Sequence, residues 1–166
     1  MRTLVLGGQA SGKSRWAENR ARQAGTPVTY VATALPVDPE TAERIAQHQR
    51  RRPRDWDTVE DPRRALERAA QVPPDRLVLL DGLGLALALY LDDEARWWRA
   101  LEDLAARPGP AVVVGEVAGQ GIIPADPGVR RYLDLLGRSA ERLAEWADDV
   151  VLVTAGLPLW LKGRAS

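Results

Sequence analysis

One glycine-rich segment constrains this chain more than any other feature, namely GGQASGKS at residues 7–14. It fits the pattern G-x-x-x-x-G-K-[ST], whose backbone N–H groups bind phosphate at the start of a helix. The apolar run 3–6 predicts a strand before the segment, and residues 14–23 predict a helix after it. We therefore expect a nucleoside triphosphate to bind here, with Lys13 at its β- and γ-phosphates and Ser14 bound to Mg²⁺.

Composition narrows the class of protein. With 166 residues, of which 45% are hydrophobic, the chain is expected to form a single globular domain over residues 1–166. A formal net charge of zero gives no global attraction to nucleic acid or anionic membrane. The absence of cysteine excludes disulfides and suits a reducing cytoplasm. We expect a soluble cytoplasmic protein, because no signal-peptide layout is present and the most apolar stretch, 77–91, is too short to span a bilayer.

Further apolar runs at 28–31, 77–80, 111–114 and 150–153 predict buried strands, separated by segments with helical patterns. The first strand–helix–strand unit predicts parallel pairing. Residues 157–162 follow an Ala-Gly turn and are expected to pair back antiparallel at an edge. The predicted fold class is therefore α/β, with a mostly parallel sheet, helices on both faces and a C-terminal antiparallel edge strand.

Capping signals predict the helix bounds. Asp38 before Pro39 starts a helix that Pro53 ends near residue 51 or 52. Other helices are predicted over 61–70, from 92 to the Pro-Gly-Pro turn at 108, and over 129–147. The apolar segment 82–91 is expected to be a buried helix or a protein–protein surface. In the helix from Pro39, the predicted buried stripe consists of Ala42, Ile45 and Ala46.

His48 is the single histidine of the chain and lies on one predicted helix face with Arg44, Arg51 and Arg52. Neighbouring guanidiniums disfavour the imidazolium, so we expect a neutral, nucleophilic ring. Such a ring beside a triphosphate can attack phosphorus and form a covalent intermediate. The alternatives are a structural histidine within a solvated basic run, or a nucleic-acid patch. The balanced charge and the lack of interleaved aromatic residues disfavour nucleic acid.

Side chains at the predicted strand ends are the other candidates. Asp81 follows the apolar run 77–80, which is the pattern of a carboxylate delivered to Mg²⁺ beside Ser14, although such aspartates also cap helices. The segment 32–34 ends the second predicted strand beside the phosphate loop, either as a ligand contact or as an ordinary strand exit. Glu116 begins a glycine-rich loop that is either functional or a flexible connector.

Taken together, these residues resemble the bifunctional adenosylcobinamide kinase / adenosylcobinamide-phosphate guanylyltransferase family of cobalamin biosynthesis. The resemblance covers almost the whole chain, and its specific part is the histidine motif together with the Gly-Ile-x-Pro loop. The matching stretches are 7–15, 30–34, Arg44 to His48 with Arg52, Pro53 and Trp56, Glu116-Val117 with Gly121 to Pro124, 136–138 and 147–159.

The resemblance implies a fold of the recombinase-type phosphate-loop class and a homotrimer. It implies two reactions, namely phosphorylation of adenosylcobinamide by GTP or ATP and transfer of GMP from GTP to adenosylcobinamide phosphate. The second passes through a guanylylated histidine, which maps onto His48, with Lys13 as a further catalytic residue. The implied metal ligands for Mg²⁺ are Ser14 and Asp81. The implied nucleotide contacts are Gly7, Gly8, Gln9, Ala10, Ser11, Gly12, Lys13, Ser14, Ala32, Thr33, Ala34, Gln49, Arg50, Arg51, Arg52, Glu60 and Asp81.

The chain departs from the family pattern in places. DGLGLA stands at 81–86 where the family usually has Asp-Cys-Leu-Thr-Leu-Trp, Gly115 replaces an asparagine, and Ala140-Glu141 replaces an Asn-Gln pair. These departures bear on the kinase step and on corrinoid contacts more than on guanylyl transfer. Two other interpretations stay open: a simple small-molecule kinase with a structural His48, and a non-catalytic nucleotide-binding switch.

Overall fold

The computed structural model describes residues 1–119, 121 and 123–163, apart from the side chains of Arg44 and Arg51. Its centre is a seven-stranded sheet with the order β3-β2-β4-β5-β1-β6-β7. All neighbours pair in parallel except β6 and β7, which are antiparallel. The predicted sheet and its antiparallel edge strand are thus confirmed. The strands are β1 (Arg2–Gly7), β2 (Val28–Ala32), β3 (Asp57–Glu60), β4 (Leu77–Asp81), β5 (Ala111–Glu116), β6 (Asp149–Thr154) and β7 (Leu157–Lys162).

The helices lie close to their predicted positions. They are α1 (Lys13–Arg22), α2 (Pro39–Arg51), α3 (Ala65–Ala70), α4 (Leu83–Ala88), α5 (Glu94–Ala106) and α6 (Pro127–Trp146). The segment predicted as one helix over 61–70 starts instead as a 3-10 turn, Pro62–Arg64, before α3. Glu116, predicted to lie in a loop, is the last residue of β5, because its backbone pairs with Gly7 of β1.

The central strands are buried on both faces, as their continuous apolar runs require. On one face α3, α4, α5 and α6 cover the sheet, and Trp97, Leu101 and Leu143 are fully buried between them. On the other face α1 packs Ala17 and Ala21 onto the sheet. Both faces are therefore covered by helices, as predicted.

The predicted buried stripe of α2 is wrong. Ala42 is exposed, and Ile45 and Ala46 are only half-buried. The reason is the position of the helix above the carboxyl ends of the strands, where its inner side meets an open cleft. Ile45, which a sheet surface would bury, lines this cleft instead.

The turn between β6 and β7 packs against the backbone of the phosphate loop. Ala155 and Gly156 adopt positive φ angles of 51° and 78°, and the Gly156 N–H donates a hydrogen bond of 2.8 Å to the Ser11 carbonyl. A Cβ added to Gly12 would lie 3.2 Å from the Gly156 Cα, so the two backbones are in close contact. The shape of the loop therefore depends on the last hairpin of the chain.

We expect Gly156→Ala to lower the free energy of unfolding by about 1–2 kcal/mol, because a side chain disfavours this left-handed backbone. Gly137→Ala is the matched control. Gly137 is exposed on α6 with open space around its Cβ position, so its replacement should raise the free energy of unfolding by roughly 0.5–1 kcal/mol. Urea denaturation measures both free energies of unfolding. A change in the same direction for both variants would contradict the requirement for glycine at position 156.

Candidate active site

A cleft of about 900 Å³ lies at the carboxyl ends of the parallel strands, where open α/β sheets bind ligands. Its lining has two sides with different side chains. The first side, which we call the histidine side, consists of Tyr30, Ala32, Thr33, Ala34, Thr41, Ile45, His48 and Arg52. The second, the glutamate side, consists of Gly82, Leu85, Glu116, Val117, Ala118 and Tyr132. The remaining lining residues are Asp81 and the phosphate-loop segment from Gln9 to Arg15.

The phosphate loop has the geometry that its motif predicts. Ala10 and Gly12 have positive φ angles of 55° and 91°, and α1 begins at Lys13. The Lys13 Nζ donates a hydrogen bond of 3.2 Å to the Gly8 carbonyl, which holds the ammonium over the loop. The start of α1 therefore presents backbone N–H groups and a cation to the cleft, and this combination favours an anionic ligand.

Asp81 connects the phosphate loop to the neighbouring strands. Its carboxylate accepts hydrogen bonds from the Ser14 hydroxyl at 3.0 Å and from the Tyr30 hydroxyl at 2.8 Å. Its backbone carbonyl accepts one from the Thr33 hydroxyl at 2.7 Å. Burial and the negative charge of Asp81 raise the pKa of Tyr30 above its ordinary value, so this phenol stays protonated and donates. The structure thus brings Ser14, Thr33 and Asp81 together, as the sequence predicted.

His48 faces the same carboxylate. Its Nδ1 lies 4.0 Å from an Asp81 carboxylate oxygen, and about a third of its side chain is exposed. Glu18, only 2% exposed, completes a cluster in which one ligand atom from each of the three residues lies within 4.8 Å of the others. Sequence reasoning missed Glu18. The available signal was its position four residues after Ser14, on the same face of α1.

Arg52 provides a cation to the histidine side. It caps the C-terminus of α2 in an extended conformation, and its guanidinium carbon lies 3.6 Å from the centroid of the Tyr30 ring. Its Nε and Nη1 atoms are buried and have no hydrogen-bond partner among the described residues. A buried N–H group without an acceptor lowers the stability of the fold unless a ligand accepts its hydrogen bond. The arrangement therefore favours an anion in the cleft beside Tyr30.

Glu116 is the corresponding acid on the glutamate side. One of its carboxylate oxygens accepts a hydrogen bond of 2.7 Å from the Gly84 N–H at the start of α4. Burial raises the pKa of Glu116, while this hydrogen bond and the charge of Lys13 act in the opposite direction. Like Asp81, it ends an apolar strand, which is the sequence signal for its position.

Several predicted contacts do not line the cleft. The Gln49 amide donates a hydrogen bond of 2.8 Å to the Glu60 carboxylate, and both side chains are exposed, as is that of Arg50. Gly7 and Gly8 are not among the lining residues either, and a Cβ on Gly7 would lie 2.7 Å from the Val153 carbonyl. The roles of these residues stay predictions. The Arg44 and Arg51 side chains and Ile122 of the Gly-Ile-x-Pro motif lie outside the described residues.

Comparison with protein families identifies the chain. Residues 3–161 match the family model for cobinamide kinase / cobinamide phosphate guanyltransferase. The chain belongs to this family. The family acts as kinase and as nucleotidyltransferase on cobinamide, and its members use a nucleotide substrate, which agrees with the phosphate loop and the cleft around it.

Three members of the cobinamide kinase family match this chain over nearly their full length. The bifunctional adenosylcobalamin biosynthesis protein CobP of Pseudomonas aeruginosa is 40% identical over 99% of both chains. The bifunctional adenosylcobalamin biosynthesis proteins CobU of Salmonella typhimurium and Escherichia coli are 35% and 33% identical over 98% of this chain and all of their own.

Solved structures show the same fold at low sequence identity. A protein from Pyrococcus horikoshii superposes with a TM-score of 0.51 at 11% identity, over 99% of this chain and 87% of its own. The ATPase EscN of an Escherichia coli type III secretion system superposes with a TM-score of 0.54 at 11% identity, over 93% of this chain and 43% of its own. Within the described part of the chain, no helix has the length and apolar character needed to cross a membrane.

The buried charge of Glu116 predicts a pH-dependent stability. Because its folded pKa is raised, its stabilising contribution is complete below the ordinary carboxyl pKa and is lost as the pH rises through the folded pKa. We therefore expect Glu116→Gln to have a higher free energy of unfolding than the wild type at neutral pH, with the difference shrinking towards acid. Urea denaturation over a pH series measures this difference.

Glu102→Gln is the control, because the pKa of Glu102 is shifted in the opposite direction. Hydrogen bonds of 2.7 Å from Arg142 lower the pKa of Glu102, so its contribution is lost as the pH falls through the folded value. This variant should be slightly less stable than the wild type at neutral pH, since the pair is exposed to solvent. The same response from both variants would show that burial is not the cause at Glu116.

Proposed function

We propose that this chain phosphorylates adenosylcobinamide and transfers GMP from GTP to adenosylcobinamide phosphate through a guanylylated His48. The observation that carries the proposal is the position of His48, which lines the phosphate-loop cleft with its Nδ1 4.0 Å from Asp81. A histidine with only a structural role has no reason to face this cleft. The family membership supports both activities.

The donor nucleotide binds with its phosphates on the loop from Gly7 to Ser14. Lys13 binds the β- and γ-phosphates, and Arg52 donates its unpartnered N–H groups to the same triphosphate. Ala32, Thr33 and Ala34 line the cleft where the nucleoside continues from the α-phosphate. Gln49, Arg50, Arg51 and Glu60 are proposed as outer contacts that form when α2 closes on the nucleotide. GTP serves guanylyl transfer, and GTP or ATP serves phosphorylation.

Mg²⁺ fits the oxygen atoms beside the loop. Ser14 and Asp81 offer a hydroxyl and a carboxylate 3.0 Å apart, and such hard oxygen ligands are the ones that Mg²⁺ prefers. We infer that these two residues would hold the ion beside the phosphate loop. When bound, Mg²⁺ neutralises charge that develops on the transferred phosphate.

The covalent step follows from the position of the ring. A ring nitrogen of His48 attacks the α-phosphorus of GTP, the N–P bond forms, and the bond to pyrophosphate breaks with its electron pair leaving on pyrophosphate. Asp81 lies at the Nδ1 side and orients the ring. A phosphate oxygen of adenosylcobinamide phosphate then attacks the same phosphorus, and the N–P electron pair returns to His48.

We further infer that residues 1–166 act as one domain, because all described elements pack around a single sheet. We propose a homotrimer and a cytoplasmic location, which the resemblance to the family implies. Analytical ultracentrifugation tests the trimer, and a monomer at assay concentration would contradict it.

Incubation with α-labelled GTP and Mg²⁺ should give a labelled protein whose adduct is labile in acid, since it is a phosphoramidate. His48→Asn should give no adduct while still binding GTP, and Gln47→Asn, an exposed neighbour, should label like the wild type. A folded, GTP-binding wild type without adduct would contradict the covalent mechanism. A wild type that transfers the γ-phosphate but forms no adduct would favour a simple kinase with a structural His48.

Arg52→Lys should weaken GTP binding about tenfold, because lysine keeps the charge but loses both the planar stack on Tyr30 and the forked N–H donors. Arg54→Lys is the matched control, since Arg54 is exposed and outside the cleft. Isothermal titration calorimetry measures both affinities. Equal effects of the two variants would contradict a nucleotide contact by Arg52.

A further inference from the structure

The cleft has two chemically different sides, and the proposed function uses only one of them. The histidine side carries His48 and the Arg52 guanidinium. The glutamate side carries Glu116 with apolar and phenolic neighbours. The proposed function assigns a role to Asp81 but none to Glu116, the second acid that lines this cleft.

Glu116 lies close to the position where the terminal phosphate is expected. The charge of Lys13, which the loop holds over the Gly8 carbonyl, acts directly on the Glu116 carboxylate. The side chain ends β5, next to the strand that leads into the loop. It lines the cleft although it is largely buried, so its free carboxylate edge is available only to a ligand that enters from the cleft.

Gly84 makes this arrangement possible. Its N–H donates to one Glu116 oxygen, while a Cβ at this position would lie 2.7 Å from that oxygen and 2.6 Å from the Tyr132 hydroxyl. In this chain, a side chain at position 84 would require both groups to move from their present positions. The absence of a side chain at Gly84 therefore leaves room for the carboxylate in the orientation that the Gly84 N–H holds.

The surface around Glu116 suits a large acceptor. Leu85 lines the cleft with about half of its side chain exposed, next to Val117, Ala118 and Tyr132. Val129, also exposed, lies three residues before Tyr132 on α6 and so on the same side of that helix. Exposed apolar groups beside a catalytic cleft are typical of a ligand-binding surface.

We propose that Glu116 is the base that accepts the proton of the cobinamide hydroxyl during phosphorylation, with the corrinoid bound on the glutamate side of the cleft. The inference rests on the proposed function and assigns the acceptor to this side. Charged and titratable groups that face Glu116 are Lys13 from α1, Asp81 from β4 and Tyr132 from α6.

The step balances without a further reactant. The hydroxyl oxygen of cobinamide attacks the γ-phosphorus, and the new O–P bond forms as the bond to the β-phosphate oxygen breaks. The nucleoside diphosphate leaves with that electron pair. The hydroxyl proton passes to the Glu116 carboxylate and from there to solvent after product release.

The two reactions of the family differ in their need for such a base. Phosphorylation uses a hydroxyl acceptor, which must lose a proton. Guanylyl transfer uses a phosphate acceptor, which is already an anion at neutral pH and has no proton to lose. Loss of Glu116 should therefore affect only one of the two reactions.

The test measures both reactions on Glu116→Gln. We expect kcat for phosphorylation of adenosylcobinamide to fall by about 100-fold or more with little change in KM. Formation of the labelled protein from α-labelled GTP, and GMP transfer to adenosylcobinamide phosphate, should stay within about twofold of the wild type. The wild-type kcat for phosphorylation should rise with pH through the ionisation of Glu116, and the variant should lack this rise. Glu145→Gln, an exposed acid on α6 outside the cleft, is the matched control for both reactions.

Gly84→Ala provides a second test that keeps the carboxylate. Its methyl group should displace Glu116 and Tyr132 and so lower kcat for phosphorylation but not for guanylyl transfer. Because alanine is more favourable than glycine within a helix, a loss of activity would not be due to a weaker α4. Equal activity of Glu116→Gln and the wild type in phosphorylation would overturn the proposal, and so would an equal loss in both reactions. A wild type that forms no guanylylated protein would instead overturn the proposed function, because that measurement does not involve Glu116.

Discussion

The Asp81 carboxylate is the interaction on which the site depends. Ser14 at the start of α1 and Tyr30 on β2 both donate to it, and His48 on α2 lies beside it. Three successive elements, α1, β2 and α2, therefore meet at one carboxylate that the later strand β4 supplies. Hydrogen bonds to a charged group are strong and directional, so removal of this carboxylate would leave the Ser14 and Tyr30 hydroxyls without their acceptor and His48 without its neighbouring acid.

Two acids at neighbouring strand ends have different surroundings. Asp81 accepts hydrogen bonds from two hydroxyl groups beside the phosphate loop, and these bonds hold its carboxylate in place. Glu116 receives one backbone N–H and lies among apolar groups, and its pKa is raised by burial. The same sheet edge can thus present one acid suited to holding a cation and one suited to accepting a proton. The adjacent strands β4 and β5 divide these roles.

Sequence reasoning predicted the sheet and the residues at its edge because local patterns determine both. Apolar runs mark buried strands, and a polar residue after such a run lies at the ligand-binding edge, as Asp81 shows. It failed where tertiary position decides burial. Ala42, Ile45 and Ala46 have the spacing of a buried helix face, but α2 lies above a cleft and not on the sheet. Glu18 was missed because one buried acid on an amphipathic helix has no distinctive pattern. The family departure at Gly84 could not be interpreted from the sequence, because its meaning depends on the contact with Glu116.

The contact between Gly156 and Ser11 joins opposite ends of the chain. During synthesis on the ribosome, the phosphate loop emerges well before the hairpin that contacts it. A nascent chain therefore has no fully supported nucleotide site until the turn between β6 and β7 has left the exit tunnel. A chain truncated before this turn would keep the glycine-rich sequence but lose the backbone contact that holds it in shape.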